Sequence, residues 1–220
     1  MTKQKWEFQA ERCALLVIDM QNDFVRESAI MEVPEAKHQL ARIKELIGTC
    51  RSLDIPVIYT VHQTEPNFNP LEIATFPHLI DGGMRPGTDG IEVVDELAPH
   101  ENEYVLRKRR YSAFYQTDLE IILRNLKRKN ALPTSAASSS EKCAEVLPVD
   151  TLIICGTVTN ICCESTARDA YFRDYKVVFG SDVCSALSKA AHEATLANME
   201  LFGRVMSGAE ISESLLAEHS

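Results

Sequence analysis

Cys162 is the residue of this 220-residue chain whose type and setting most suggest covalent chemistry. It lies in Gly156-Thr157-Val158-Thr159-Asn160-Ile161-Cys162-Cys163-Glu164-Ser165-Thr166-Ala167-Arg168-Asp169-Ala170, after the apolar run Leu152-Ile153-Ile154-Cys155. Such a run reads as a strand buried on both faces, and the residues after Asn160 have helical period. A thiol where a strand hands over to a helix meets unpaired N–H groups and the positive end of the macrodipole. That setting favours a thiolate nucleophile and can receive the oxyanion formed when it attacks a carbonyl. Stepping by three and four from Cys163 gives Thr166, Ala167 and Ala170, a stripe suited to packing on a sheet, whereas Cys162 continues to Ser165, Thr166 and Asp169 and faces the opening. Both cysteines read equally well as buried small hydrophobes, which is what most free cysteines are.

Proton-transfer groups stand at the ends of other apolar runs. Cys13-Ala14-Leu15-Leu16-Val17-Ile18 stops at Asp19, and Val57-Ile58-Tyr59-Thr60-Val61 stops at His62. Carboxylates at strand C-termini lie where open α/β sheets keep their ligands, although Asp serves equally as a cap or turn residue. Tyr104-Val105-Leu106-Arg107 leads into Lys108, within the basic run Arg107 to Arg110. Three of those cations read as a solvated face, but a lysine leaving a buried strand would hold its ammonium beside the neighbouring strand ends.

These groups need a parallel sheet to bring them together. A helix is expected from Pro34, with Leu40, Ile43, Ile47 and Cys50 on one face. A long irregular segment is expected from Gln63 to His100, over the same edge of the sheet. Thr117-Asp118-Leu119-Glu120 reads as a capping box opening a helix at about Asp118 that carries Ile121, Ile122 and Leu126. Residues 127–150 read as a Ser-rich inserted surface loop. A strand at Lys176-Val177-Val178-Phe179, a helix from Lys189 to Phe202 through Ala190, Ala194, Ala197 and Leu201, an edge strand Arg204-Val205-Met206 and a helix from Ile211 to Ala217 complete the chain. This alternation predicts one domain over 1–220, a three-layer α/β/α sandwich with a five- or six-stranded, mainly parallel sheet.

The net charge of -9 argues against a non-specific nucleic-acid or anionic-membrane binder. Residues Met1 to Ala10 hold charges and no long apolar core, so the segment does not read as a signal peptide, and no run reaches membrane-spanning length. A cytoplasmic protein is expected, its seven cysteines reduced. His62 and His78 lack a close Asp-His-His grouping and no C-x-x-C pair occurs, so neither a metal nor another cofactor is expected.

Three stretches together resemble the isochorismatase-like cysteine hydrolases: Val17-Ile18-Asp19-Met20-Gln21-Asn22-Asp23-Phe24, Lys108-Arg109-Arg110-Tyr111-Ser112-Ala113-Phe114, and the segment from Gly156 to Ala170. Three motifs in this order are specific where one alone is weak. The resemblance covers about Cys13 to Met206 and implies a catalytic triad of Asp19, Lys108 and Cys162. It also implies a cis peptide at Thr157-Val158, with the Val158 and Cys162 amides as oxyanion hole. In these roles Asp19 accepts the thiol proton and later activates water, Lys108 stabilises the charges, and Cys162 carries the acyl group.

Within the family the motifs look most like the ureidoacrylate amidohydrolase branch. The segment after His62 lacks the Asp-x-His-x-x-x-His metal cluster of nicotinamidases, and phenazine-type vinyl ether hydrolases lack the cysteine. The expected activity is therefore cleavage of a C–N bond in a small carboxamide, carbamate or ureido compound, with isochorismatase chemistry, nicotinamidase activity and a non-catalytic binding module as alternatives. Phe24, Tyr111 and Phe114 are expected to wall a small pocket or to pack in the core, and His62 and Arg110 to meet a polar or carboxylate group of the substrate. The partners expected are a small-molecule substrate, water and further copies of the chain, as a homodimer or homotetramer.

Overall fold

The computed structural model describes residues 6–126 and 148–217. Six parallel strands form one sheet: β1 (Cys13–Ile18), β2 (Val57–His62), β3 (Tyr104–Lys108), β4 (Thr151–Thr157), β5 (Lys176–Ser185) and β6 (Arg204–Met206), in the order β3-β2-β1-β4-β5-β6. The chain builds outward from β1 in one direction, then returns to β4 and builds outward in the other. The strand order therefore reverses between β1 and β4, and their C-terminal ends flank the crevice where open α/β sheets bind ligands.

The burial follows from alternation along the strands. Leu15, Val17, Val57, Tyr59, Ile153 and Val178 point into one apolar layer. It is closed by Phe24 of the short α1 (Asn22–Val25), by Ile43, Leu46 and Ile47 of α2 (Ala36–Ser52) and by Ile211 and Leu215 of α7 (Gly208–Ala217). Leu16, Ile18, Ile58, Ile154 and Phe179 point into the opposite layer, closed by Leu119 and Leu123 of α4 (Leu119–Asn125), Ala167 and Ala170 of α5 (Glu164–Tyr171), and Met199 of α6 (Lys189–Met199). A sheet covered on both faces must use continuous apolar strands, and β1, β2 and β4 are buried at every position.

Several expectations are corrected. Helix α2 starts at Ala36, and its buried face runs through Gln39, Ile43, Leu46 and Ile47, with Leu40 at the margin. The segment from Gln63 to His100 is not wholly irregular, since it contains α3 (Pro70–Thr75) and short 3-10 turns. Strand β3 lies at the sheet edge with Tyr104 and Val105 exposed, yet Lys108 at its end is buried. Asp118 takes the N-cap place of α4, with Thr117 Oγ1 accepting from the Leu119 N–H at 3.2 Å; Leu119 and Leu123 face inward, and Ile121 is exposed.

Strand β5 runs on to Ser185 past a bulge in its pairing with β4. In α6 the alanine stripe faces outward. The buried side is Thr195 and Met199, because His192 ties the helix to the turn before α5 through Thr159 Oγ1 at 2.9 Å. Alanine favours helix whether it faces the core or solvent, so its period carries little orientation. Most of the Ser-rich insertion, 127–147, lies outside the described residues.

Candidate active site

Asp19 follows β1 and Cys162 lies in the turn after β4, on either side of the crevice, while Lys108 at the end of the edge strand β3 reaches its ammonium to both. Asp19 follows β1 in the left-handed region at φ 47, which Asp tolerates better than most side chains because its short polar group bonds locally. Several bonds hold it there: its N–H donates to the Thr60 carbonyl at 3.1 Å, its carbonyl accepts from Thr157 Oγ1 at 2.8 Å, and its Oδ1 accepts from Thr60 Oγ1 at 2.6 Å. Thr60 sits opposite Ile18 in the parallel register, so β2 delivers its hydroxyl to the residue after β1.

Lys108 ends β3 directly opposite His62 of β2. Its Nζ lies 2.7 Å from Asp19 Oδ2, 3.4 Å from Cys162 Sγ, 3.4 Å from His62 Nδ1 and 3.2 Å from the Arg110 carbonyl. Both side chains of the Asp19–Lys108 pair are fully shielded from solvent. Burial works to lower the Lys108 pKa, but Asp19 and then Cys162 outweigh it, and the ammonium is held above the ordinary lysine value.

Cys162 occupies a wide, π-type helical turn, Thr159–Cys163, between β4 and α5. Such widened turns recur at functional sites because they re-aim one side chain. The peptide bond between Thr157 and Val158 is cis. Gly156, at φ 118, precedes it; a Cβ there would collide with the Ile18 carbonyl, so β4 can approach β1 this closely only as glycine. The helical-phase expectation holds: Cys163 is sealed into the layer with Ala167 and Ala170, while Cys162 is the cysteine that also lines a cleft.

The expected ease of ionisation does not hold. Burial pushes the Cys162 thiol well above its usual value, Lys108 pulls it down, and Asp19 pushes it up again. At neutral pH the thiol therefore keeps its proton until a base takes it, and Asp19 is the carboxylate beside it. We expect the rate of Cys162 alkylation by iodoacetamide, followed by peptide mass spectrometry, to climb through the alkaline range without levelling near pH 8.5, where free thiols titrate. A plateau there would show instead a thiol unaffected by its surroundings.

The cleft over the sulfur is narrow, about 20 Å3, and is lined by Phe24, Met31, Phe76, Tyr111 and Ile161 among others, with His62 and Glu72 as its polar wall. Phe24, His62 and Tyr111 thus stand where the sequence suggested. Phe114 does not: it packs in the layer beside α4, 6.0 Å ring to ring from Tyr175. Nor does Arg110 reach the cleft, since its guanidinium donates to the Phe68 carbonyl at 2.9 Å.

Four contributors, Gln21, Thr60, Thr157 and Glu72, have roles that the sequence does not mark. The Gln21 amide brackets the backbone of His62, accepting from its N–H at 2.7 Å and donating to its carbonyl at 2.9 Å. Thr60 and Thr157 fix Asp19. Glu72, on α3, meets His62 Nε2 at 2.7 Å and Asn69 Nδ2 at 3.0 Å. A threonine in an apolar strand or a glutamate in a loop gives no signal until the register is known. No group of three or more metal-ligating side chains occurs among the described residues. No helix among them is long and apolar enough to cross a membrane.

Both the sequence and the fold have counterparts among known proteins. The isochorismatase domain model matches residues 13–134 and 135–210. Nicotinamidase 3 of Arabidopsis thaliana is 31% identical over 189 residues, covering 84% of this chain and 79% of that one. A ureidoacrylate amidohydrolase of Pantoea ananatis is 27% identical over 216 residues, covering 89% and 78%. An isochorismatase of Bacillus subtilis is 31% identical over 194 residues, 88% of this chain, but the match spans only 54% of that longer protein. Among solved structures, a cysteine hydrolase from Pseudomonas syringae superposes with a TM-score of 0.83 at 28% identity, covering 99% of this chain and 100% of that one.

Proposed function

Since the chain belongs to the isochorismatase-domain family of hydrolases, we propose that it hydrolyses a C–N bond in a small carboxamide, carbamate or ureido compound through an acyl-enzyme on Cys162. One observation carries this reading: the Cys162 sulfur and the Asp19 carboxylate share the Lys108 ammonium, at 3.4 and 2.7 Å, at the floor of a cleft.

Asp19 takes the thiol proton as the sulfur attacks the carbonyl carbon, and the Lys108 ammonium stabilises the negative charge during the transfer. The carbonyl oxygen, now anionic, turns toward the Val158 and Cys162 amides. Collapse breaks the C–N bond, and the proton held by Asp19 passes to the leaving nitrogen, so that ammonia or an amine departs and a thioester remains. Asp19 then removes a proton from water, the hydroxide attacks the thioester, and the thiolate leaves and is reprotonated. Each proton removed is returned, and the chain's own side chains supply every transfer.

The likeness to the isochorismatase of Bacillus subtilis supports a second reading, vinyl ether hydrolysis with Asp19 as general acid and no acyl-enzyme. Ammonia release from panels of carboxamides, carbamates and ureido acids, with isochorismate alongside and rapid-quench mass spectrometry of the protein, separates the two. Ammonia together with an acyl mass on Cys162 supports the first. Pyruvate released from isochorismate by a Cys162→Ala variant overturns it.

A further inference from the structure

We propose that Glu72 sets the charge of the substrate, so that the cleft accepts a small uncharged carboxamide and rejects one bearing a carboxylate. This deepens the proposed function and rests on Cys162 being the reacting atom.

Glu72 is the one charged side chain, among the described residues, on the wall of the cleft above the sulfur. Its position is fixed from two sides. Oε1 lies 2.7 Å from His62 Nε2 and Oε2 accepts from Asn69 Nδ2 at 3.0 Å, while the same Asn69 amide donates to the Arg109 carbonyl at 2.8 Å and so anchors α3 to the segment leaving β3. The carboxylate cannot swing away without breaking that frame.

Its charge is not cancelled nearby. The Lys108 ammonium can only donate, so His62 Nδ1 at 3.4 Å must accept; the ring proton then sits on Nε2 and is given to Glu72. This tautomer follows from the partners of the two nitrogens. A doubly protonated ring would point an N–H at a cation. The imidazole is therefore neutral, Lys108 is balanced by Asp19, and Glu72 leaves the site one charge negative.

The nearby cations that could greet a carboxylate are committed elsewhere. The Arg109 guanidinium pairs with Glu65 at 3.0 Å and lies over the Phe68 ring, and that of Arg110 reaches the Phe68 carbonyl. The rest of the wall, including Phe24, Met31 and Phe76, is apolar and lowers the local dielectric, which strengthens repulsion of a second anion.

Two alkylating agents of nearly the same shape test this without requiring turnover. Iodoacetamide is neutral and iodoacetate anionic; their rates at Cys162 of the full chain, mapped by peptide mass spectrometry, are each divided by the rate with 2-mercaptoethanol. The normalised preference for the neutral agent should be on the order of 10- to 100-fold. Glu72→Gln, which keeps the shape and the His62 bond, should bring it back toward unity. A wild-type preference near one, or for iodoacetate, overturns the proposal even if the variant does not fold, and so does a preference that Glu72→Gln leaves unchanged. Failure of the amidase reading is a separate result: no C–N substrate is turned over, whatever the alkylation preference.

Discussion

Cys162→Ala is expected to lower turnover by at least about 10^3-fold, the scale on which loss of a covalent nucleophile is felt when the rest of a site persists. Cys163→Ala, one residue away, should keep the rate within a few-fold. The two sulfurs are both buried, so exposure does not separate them. What does is direction: Cys162 Sγ stands 3.4 Å from the Lys108 ammonium on the cleft floor, whereas Cys163 is enclosed with Ala167 and Ala170 against the sheet. Removing the Cys163 sulfur leaves a small void and should cost stability, about 0.5–3 kcal/mol. The two effects thus fall on different observables: steady-state rate for Cys162, denaturant midpoint for Cys163. Equal losses of rate in both variants, with unchanged midpoints, would contradict the assignment of the nucleophile.

The backbone architecture was readable because a doubly covered parallel sheet demands uninterrupted apolar strands, and those are short, β-branched and bounded by charge. Leu152 to Cys155 and Val57 to Val61 could be little else. Helix faces were read less well where the residues carry little information. The outward alanines of α6 have the right period on the wrong side, and the orientation is set by a histidine bond to Thr159 that no periodicity encodes. The same division runs through the site. Asp19, Lys108 and Cys162 end their strands or follow them, so their shared neighbourhood follows from the sheet. Thr60, Gln21 and Glu72 take on their roles only through register and loop path. Glu72 lies ten residues beyond the end of β2, and chain reversal through α3 brings it back over His62.

The Cys162 thiol also shows how local rules compete. Its place at the start of a helix argues for easy ionisation, yet full burial outweighs that, and the thiol is held protonated. On the proposed reaction the sulfur then needs a base in contact with it, a part that Asp19, held by Lys108, would play beyond bridging the strands.

That pair supplies the other large effect. Lys108→Met should leave the Asp19 carboxylate buried without a counter-ion, though still bonded by Thr60 Oγ1, and Asp19→Asn should leave an ammonium buried without one. Each break is expected to cost about 3–5 kcal/mol, as removal of one member of a buried pair does. The double variant Asp19→Asn/Lys108→Met, which buries no charge at this point, should recover much of that loss, so its cost falls well short of the sum. All three should be inactive, because stability can be restored without the base or the cation but the reaction cannot. The pH dependence has a definite sign. The folded-state pKa of Lys108 is raised, so its contribution is fully present below the ordinary lysine value of about 10.4 and is lost as pH rises through the higher folded value. The difference in unfolding free energy between wild type and the double variant, which carries neither ionisable group, should therefore stay level across neutral pH and shrink only in strongly alkaline solution. Denaturant unfolding of the four proteins at several pH values measures both quantities; additive single-variant losses in the double variant, or a difference that shrinks already near pH 7, would mean that the ammonium and carboxylate do not act as a coupled pair.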